Sequence, residues 1–505
     1  MKSEDMNTKR TRLGFALIAM AGLSTGLAHA NPSEDDATIA AGTAIFDSNG
    51  NLLTITTSDM TIIDWLAFNI DFGETVQFIM PDATSRVLNR IDGATPSEIN
   101  GTLLANGQVF LVNPSGIVFG ENAVVNAGSL YAAAGHISNA NFISETYRFT
   151  DMQGAVVNRG HLGGDVIALL GGQVANMGTI SAPEGTVIMA AGEQVLIGTH
   201  LGSRFVEIEV PLQETESAFD QNFAEAAGIP LAAGDVYSIA AWNTGTITAD
   251  HVFIKAEGGD VALAGSINAN GAGDDGFLTV RGDNVIVADT LEARGTPITA
   301  GTITLTAGPS GVIDLGADLN STNAGIFLHG DVRLTDSVSL TNTGTFSNTN
   351  IVGDLYSEAG EYNTLSISAN NGRAFFGGSV GDSATSDQRL GFLDVDVNLT
   401  SYMDNVSTLN GMTLMGYTEI MGPSVTFHTG LGTALFGGNI YSHIDGVSDV
   451  AFMYDGDVWN GVGEARTPFK FQGSIGIAPP LHFMPNQGAF RTIRFGDDAA
   501  GAAMV

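Results

Sequence analysis

Short apolar runs of four to six residues, broken by Gly and Asn, recur along most of this chain. "GDVIALLGGQVAN" (164–176), "GTVIMAAGEQVLIG" (185–198), "DHVFIKAEGGDVALAGSI" (250–267) and "DNVIVADTLEARG" (283–295) each predict a strand, a turn and a second strand. An Asn-x-Gly-x-(Leu/Ile) pattern accompanies them as "NAGSL" (126–130), "NRGHL" (158–162), "NMGTI" (176–180) and "NTGTI" (243–247). Successive copies lie 18 residues apart from Asn158 to Asn176, 20 from Ile247 to Ile267 and 24 from Ile267 to Leu291. Strands at this spacing, with corners that tolerate positive φ, predict the coils of a parallel β-helix, an all-β solenoid. A β-sandwich also gives many short strands, but its pattern stops within roughly 100–250 residues. At about 22 residues per coil and ~4.8 Å per level, the chain would make roughly 20 coils and a rod of about 100 Å.

Two stretches depart from the pattern. "PLQETESAFDQNFAEAAG" (211–228) sets Phe219, Phe223 and Ala226 on one helical face, between Pro211 and Gly228, and predicts a small helical insertion lying against the rod. Further on, "RAFFGGSVG" (373–381), "TALFGGNIY" (433–441) and "TIRFGDDAA" (492–500) suggest a longer repeat, with Phe376, Phe436 and Phe495 spaced by 60 and 59 residues. The texture changes softly near residue 300, which divides the chain into a 31–300 region and a continuing β-rich region, 301–505.

The first 30 residues change the picture of where the chain works. A basic stretch with Lys2, Lys9, Arg10 and Arg12 precedes the apolar run 13–28 and Ala28-His29-Ala30, the three parts of a secretory signal peptide cleaved after Ala30. Read as a membrane anchor, the run is short and diluted by Gly and Ser. Its removal takes four basic and two acidic residues and moves the net charge from −35 to −37. That balance argues against nucleic acid and anionic lipid as partners, since both require a basic footprint. The chain has no cysteine, so burial and hydrogen bonding alone stabilise it.

Candidate chemistry is sparse. Asp274-Asp275, Asp394 with Asp396, and Asp445 with Asp449 are carboxylate pairs of the kind glycoside hydrolysis needs, yet a chain with 54 acidic residues produces such pairs by composition. The Gly-His steps at 135–136 and 160–161 lack the companions expected of a β-helical polysaccharide hydrolase. Nine scattered histidines give no zinc spacing, and "NGAGDDGF" (270–277) is not the calcium nonapeptide. No catalytic, cofactor or metal residue is assigned.

The most distinctive segment is "NGQVFLVNPSGIVFG" (106–120). Asn113-Pro114-Ser115-Gly116 suits a type I turn position by position, and it separates two strongly apolar strands. With "LNRIDG" (88–93), "PSEINGTLLANGQVFLVNPSGIVFG" (96–120) and "VNAGSL" (125–130), it resembles the N-terminal secretion domain of the filamentous haemagglutinin family, the two-partner secretion exoproteins. The resemblance marks Asn89, Arg90, Gly93, Asn106, Gly107, Asn113, Pro114, Ser115, Gly116, Phe119 and Gly120 as secretion-domain motif residues. It implies a right-handed parallel β-helix with a capped N-terminus and a β-barrel secretion partner in the outer membrane. The destination it implies is the medium or the cell surface, reached through the periplasm. It further implies an adhesive or structural role, with a carbohydrate or a host or neighbouring-cell surface as ligand. The alternative is a β-helical polysaccharide lyase or glycoside hydrolase.

Overall fold

The computed structural model describes residues 32–200, 203–210, 239–270, 276–287, 298–344, 347–369, 371–381, 387–443, 448–455, 469–475, 492–497 and 503–504. The leader 1–30, the 211–228 segment, Asp274, Asp275 and Asp445 lie outside these residues.

The chain winds as a parallel β-helix. A representative coil runs from Ala155–Asn158 through His161–Gly163 and Val166–Gly171 to Gln173–Asn176, so each turn lays one strand on each of three faces. Strands on every face pair in parallel with the coil before and the coil after: Val156 with Ile117 and Val174, Leu162 with Val125 and Ile180, Ile167 with Leu130 and Val187. Because side chains alternate along a strand, Val156, Leu162, Ile167 and Leu169 point inward, and their equivalents in every coil merge into one continuous core. Position 300 lies inside Ile298–Ala307, a strand paired on both sides, and the solenoid continues through it.

The coils can be followed along one face by one inward residue per level. The column runs Ile70, Ile99, Phe119, Asn158, Asn176, Asn243, Leu263, Val287, Leu315 and Leu334, which pairs with Ser357; two residues earlier on the same strands Val332 pairs with Leu355, and from there the levels continue through Val380, Val406, Phe427, Phe452 and Phe495. These levels span about 70 Å at ~4.8 Å each, shorter than the repeat spacing predicts. Chain is spent on excursions instead. The interval from Asn176 to Asn243 holds an antiparallel pair of strands, Gln194–His200 and Ser203–Val210, in addition to its coil.

Those strands join Tyr147–Phe149 in a three-stranded antiparallel flap outside the helix. Its Tyr147, Phe149, Val195, Ile197, Val206 and Ile208 cover Phe110, Tyr131, Ala168, Ile188 and Phe253 on the outer surface of one face, forming a second core. Phe110 and Tyr131 stack at 4.3 Å between ring centroids. The strand Gln108–Val112 is therefore buried on both sides, with Val109 and Leu111 inward and Phe110 and Val112 under the flap. This accounts for its unbroken apolar sequence. Lys255 secures the flap by donating to the Val206 carbonyl at 2.7 Å, and burial lowers its pKa.

At the leading end, Ala37–Ala41 pairs antiparallel with Thr61–Trp65, and Ala44–Asn49 pairs antiparallel with Leu52–Thr57, closing the core. Trp65 fills that end, edge-on to both Phe46 and Phe68. At the other end the core turns aromatic: Phe376 stacks on Tyr402 at 5.0 Å, and Phe427, Phe436, Phe452, Phe471 and Phe495 continue the contacts. The three Phe of the longer repeat do not stack on one another in register. Phe376 aligns with Tyr402, Phe436 with Leu414, and Phe495 with Phe452, on three separate columns that converge on this core.

Candidate functional site: the first coils of the solenoid

The motif residues of 88–120 lie in consecutive coils, and most of them hold one coil to the next. Asn89 is fully buried among apolar side chains. Its Oδ1 accepts from Trp65 Nε1 at 3.0 Å, and its Nδ2 donates to the Phe110 carbonyl at 3.3 Å, so it spans three levels. Arg90 points outward, its Nε donating to Asp64 Oδ1 at 2.8 Å and its Nη1 to Asn139 Oδ1 at 2.8 Å. Asn106 exchanges two hydrogen bonds with the backbone of Met80, both at 2.8 Å, and thereby imitates a strand residue where the chain bends.

Asn113 begins the corner that the sequence reads as a turn. Gly116 N–H donates to the Asn113 carbonyl at 3.0 Å, which closes the turn, and Ser115 N–H donates to Asn113 Oδ1 at 2.9 Å. The Asn113 Nδ2 reaches down one coil to the Thr95 carbonyl and to Ser97 Oγ, each at 3.0 Å. Gly116 has φ +111°, a left-handed value that favours glycine. The turn is not a hairpin. It carries the chain from the flap-covered face, Gln108–Val112, to the next face, Ile117–Phe119, whose Ile117 and Phe119 enter the core. Gly93, Gly107 and Gly120 are small because a neighbouring coil passes close: a Cβ would lie 2.2 Å from the Leu66 carbonyl oxygen, 2.5 Å from that of Ser85 and 2.0 Å from Asn100 Oδ1.

Six of the eleven motif residues (Asn89, Gly107, Asn113, Gly116, Phe119 and Gly120) are buried, while Pro114 and Ser115 stand half-exposed at the corner. The motif is thus chiefly the internal framework of these coils; of the rest, Asn106 is exposed and Arg90 and Gly93 are half-exposed.

The Asn-x-Gly pattern has its own geometry. Asn158, Asn176 and Asn243 form an inward ladder, Asn158 Nδ2 donating to Asn176 Oδ1 and Asn176 Nδ2 to Asn243 Oδ1, both at 2.8 Å. The fourth copy does not join it, since Asn126 is exposed on another face.

Of the carboxylate candidates, only Asp394, Asp396 and Asp449 are among the described residues, and these do not assemble a hydrolytic site. Asp394 and Asp396 face outward on Phe392–Tyr402, between Ser366 and Ser368 on one side and Thr413 and Met415 on the other. Burial, and then the charge of Asp396, raises the pKa of Asp394, but among the described residues no other acid or base joins them. Asp449 pairs in register with Ser424 and Thr492.

One alignment escapes sequence inspection. Ser407, His428 and Asp455 lie in line, with Ser407 Oγ 3.4 Å from His428 Nδ1 and His428 Nε2 2.9 Å from Asp455 Oδ1. Their spacing of 21 and 27 residues, close to one coil, is the only signal that would have found them. Ser407 is 2% exposed, and Asp455 Oδ2 is taken by Arg389 Nη1 at 2.5 Å. Burial raises the Asp455 pKa, but Arg389 and His428 outweigh it and hold the group below the ordinary value. The array is an ionic tie between coils, with its serine sealed from any substrate.

A solenoid capped at its leading end, whose early corners are built by the 88–120 residues, defines the class of protein: a parallel β-helical scaffold. Comparison with known proteins places it further. The TPS secretion domain family model matches residues 28–311, more than half of the chain, and the chain belongs to that family. A Heme/hemopexin-binding protein of Haemophilus influenzae (strain KW20 / Rd) is 32% identical over 183 residues, covering 33% of this chain and 20% of that protein. A second Heme/hemopexin-binding protein of Haemophilus influenzae is 36% identical over 93 residues, covering 18% of this chain and 10% of its own. The match thus spans a fifth or less of these curated relatives. The crystal structure of the HMW1 secretion domain from Haemophilus influenzae is similar at a TM-score of 0.41 and 21% identity, over 87% of this chain and 98% of that one. As a member of this family the chain is a secreted exoprotein, exported across the outer membrane to the cell surface or the medium.

Proposed function

We propose that the 88–120 coils are the element that a dedicated outer-membrane β-barrel transporter recognises in the periplasm, and that the exported rod serves as an adhesive or structural component outside the cell. The observation that carries this reading is the family match over 28–311, within which the motif residues knit successive coils together. A coil-by-coil scaffold suits export, because each new coil adds its strands to a finished one and stability accrues level by level. A chain without cysteine also passes a pore with no cross-link to undo.

The ligand at the destination is a carbohydrate or a cell surface. The relatives' match of 20% and 10% of their length supports a shared export route and does not extend to what their names say they bind. The test is expression of the full chain in cells with and without the candidate transporter. Protein in the medium or on the surface only in its presence supports the reading. Equal amounts without any transporter would overturn it.

A further inference from the structure

On the outer surface of the early coils, one turn-end away from the Pro114 corner, lies a half-open groove of about 300 Å³. Its apolar floor is Val118, and its walls carry Glu98, Asn100, Glu121, Asn122 and Arg159. Arg159 is the unusual member. Its Nη2 is shut off from solvent and has no hydrogen-bond partner among the described residues. Glu121 acts on it only through its charge, which partly offsets the lowering of the Arg159 pKa by burial. That one nitrogen has lost water without gaining an acceptor, which costs free energy, while Arg159 still lines the groove and is only half-buried, so the rest of its guanidinium is left to meet a ligand.

The surroundings choose among possible ligands. Glu98 and Glu121 are exposed carboxylates that repel a simple anion, in a chain of net charge −35. They accept hydrogen bonds, and Asn100 and Asn122 both accept and donate. Donor, acceptors and an apolar floor within a few hundred cubic ångströms match a ring with several hydroxyl groups and one C–H face. We propose that this groove binds a neutral hexose-sized sugar, with Arg159 donating to sugar oxygens and Glu98, Glu121 and the two amides accepting from its hydroxyls. This places a site for the carbohydrate ligand of the proposed function and rests on that part of it, while the export reading stands or falls separately.

The experiment titrates the purified full-length secreted chain, by saturation-transfer NMR and calorimetry, with the methyl glycosides of glucose, galactose, mannose and N-acetylglucosamine. Sodium glucuronate and acetyl-Ala-Ala-amide serve as the charged and peptide arms. Saturable binding of at least one neutral glycoside is expected, weakened roughly tenfold or more in Arg159→Ala, the loss of a charge-assisted hydrogen bond. Three results would each overturn the proposal: no saturable binding by any of the four glycosides, equal affinity in Arg159→Ala, or tighter binding of glucuronate or the peptide. Should Arg159→Ala fail to fold by circular dichroism, the exposed Glu121→Gln and Asn122→Ala variants decide. Several-fold weakening in both supports the site, and unchanged affinity in both refutes it.

Discussion

Asn158 and Asn176 sit one coil apart, and the side-chain amide of the first donates to the side-chain oxygen of the second at 2.8 Å inside the core. The same bond repeats from Asn176 to Asn243, so the middle residue is bonded above and below. Asn158 Oδ1 also accepts from Gly160 N–H at 3.0 Å, which fixes the corner that follows. Replacing Asn176 with Ala removes both ladder bonds and leaves the Asn243 oxygen without its donor. Urea denaturation of the purified chain should show a loss of about 2–4 kcal/mol for the unit that contains these coils, against no more than ~0.5 kcal/mol for an exposed asparagine such as Asn126.

The glycine of the same pattern is set by close approach. A Cβ on Gly178 would lie 2.2 Å from the Gly160 carbonyl oxygen, and one on Gly245 would lie 2.1 Å from that of Gly178. Gly178→Ala should therefore push two coils apart and cost about 2–3 kcal/mol. Gly50→Ala provides the contrast. Nothing lies within 4 Å of its Cβ position, and only its φ of +60° opposes alanine. That variant should lose about 1 kcal/mol, so the ordering of the two melting temperatures checks the account.

Much of this was legible in the chain. The coil spacing and the turn at Asn113–Gly116 follow from local chemistry, which sequence displays directly. The Asn-x-Gly pattern is visible too, but not for the positive φ it suggests: Asn158, Asn176 and Asn243 end strands and bond inward, and Gly160, Gly178 and Gly245 are set by the close approach of a neighbouring coil. What the sequence conceals is which face a residue occupies once excursions interrupt the count. Asn126 shares its pattern with Asn158 yet stands on another face, and Phe376, Phe436 and Phe495 share a motif but not a column. The double burial of Gln108–Val112 depends on Tyr147–Phe149 and Ser203–Val210, strands far along the chain that no local window includes. The groove at Arg159 draws on residues from three successive coils, and only the fold brings them together.

The flap should be sensitive to acid. Arg148 holds Glu209 through two hydrogen bonds, at 2.6 and 2.7 Å. These bonds set the Glu209 pKa below its ordinary value of 4.5 despite partial burial, with Gln194 contributing. For a carboxylate depressed in the folded state, the stabilisation is present above the ordinary pKa and fades as pH falls through the folded value. Flap amides, followed by hydrogen exchange corrected for intrinsic rates, should lose protection below about pH 4.5 in the natural chain. Glu209→Gln should start with less protection and show a flatter profile over that window.

The Pro114 corner tests how folding and export are linked. Pro114 presets its own φ, and Gly116 supplies the left-handed φ of +111°. Pro114→Ala with Gly116→Ala should leave the mature chain able to fold but slow its appearance in the medium several-fold. Pulse-labelled export in cells that carry the transporter measures this. Export at the natural rate would separate the corner from secretion.

The central claim is that the 88–120 coils direct export, and deletion of 88–120 tests it most directly. The measurement is the amount of chain in the medium and on the surface, relative to its transcript and to the pool inside the cell, with the transporter present. The account predicts that transcript and internal pool persist while export is abolished. Normal amounts of the deletion variant outside the cell would contradict it.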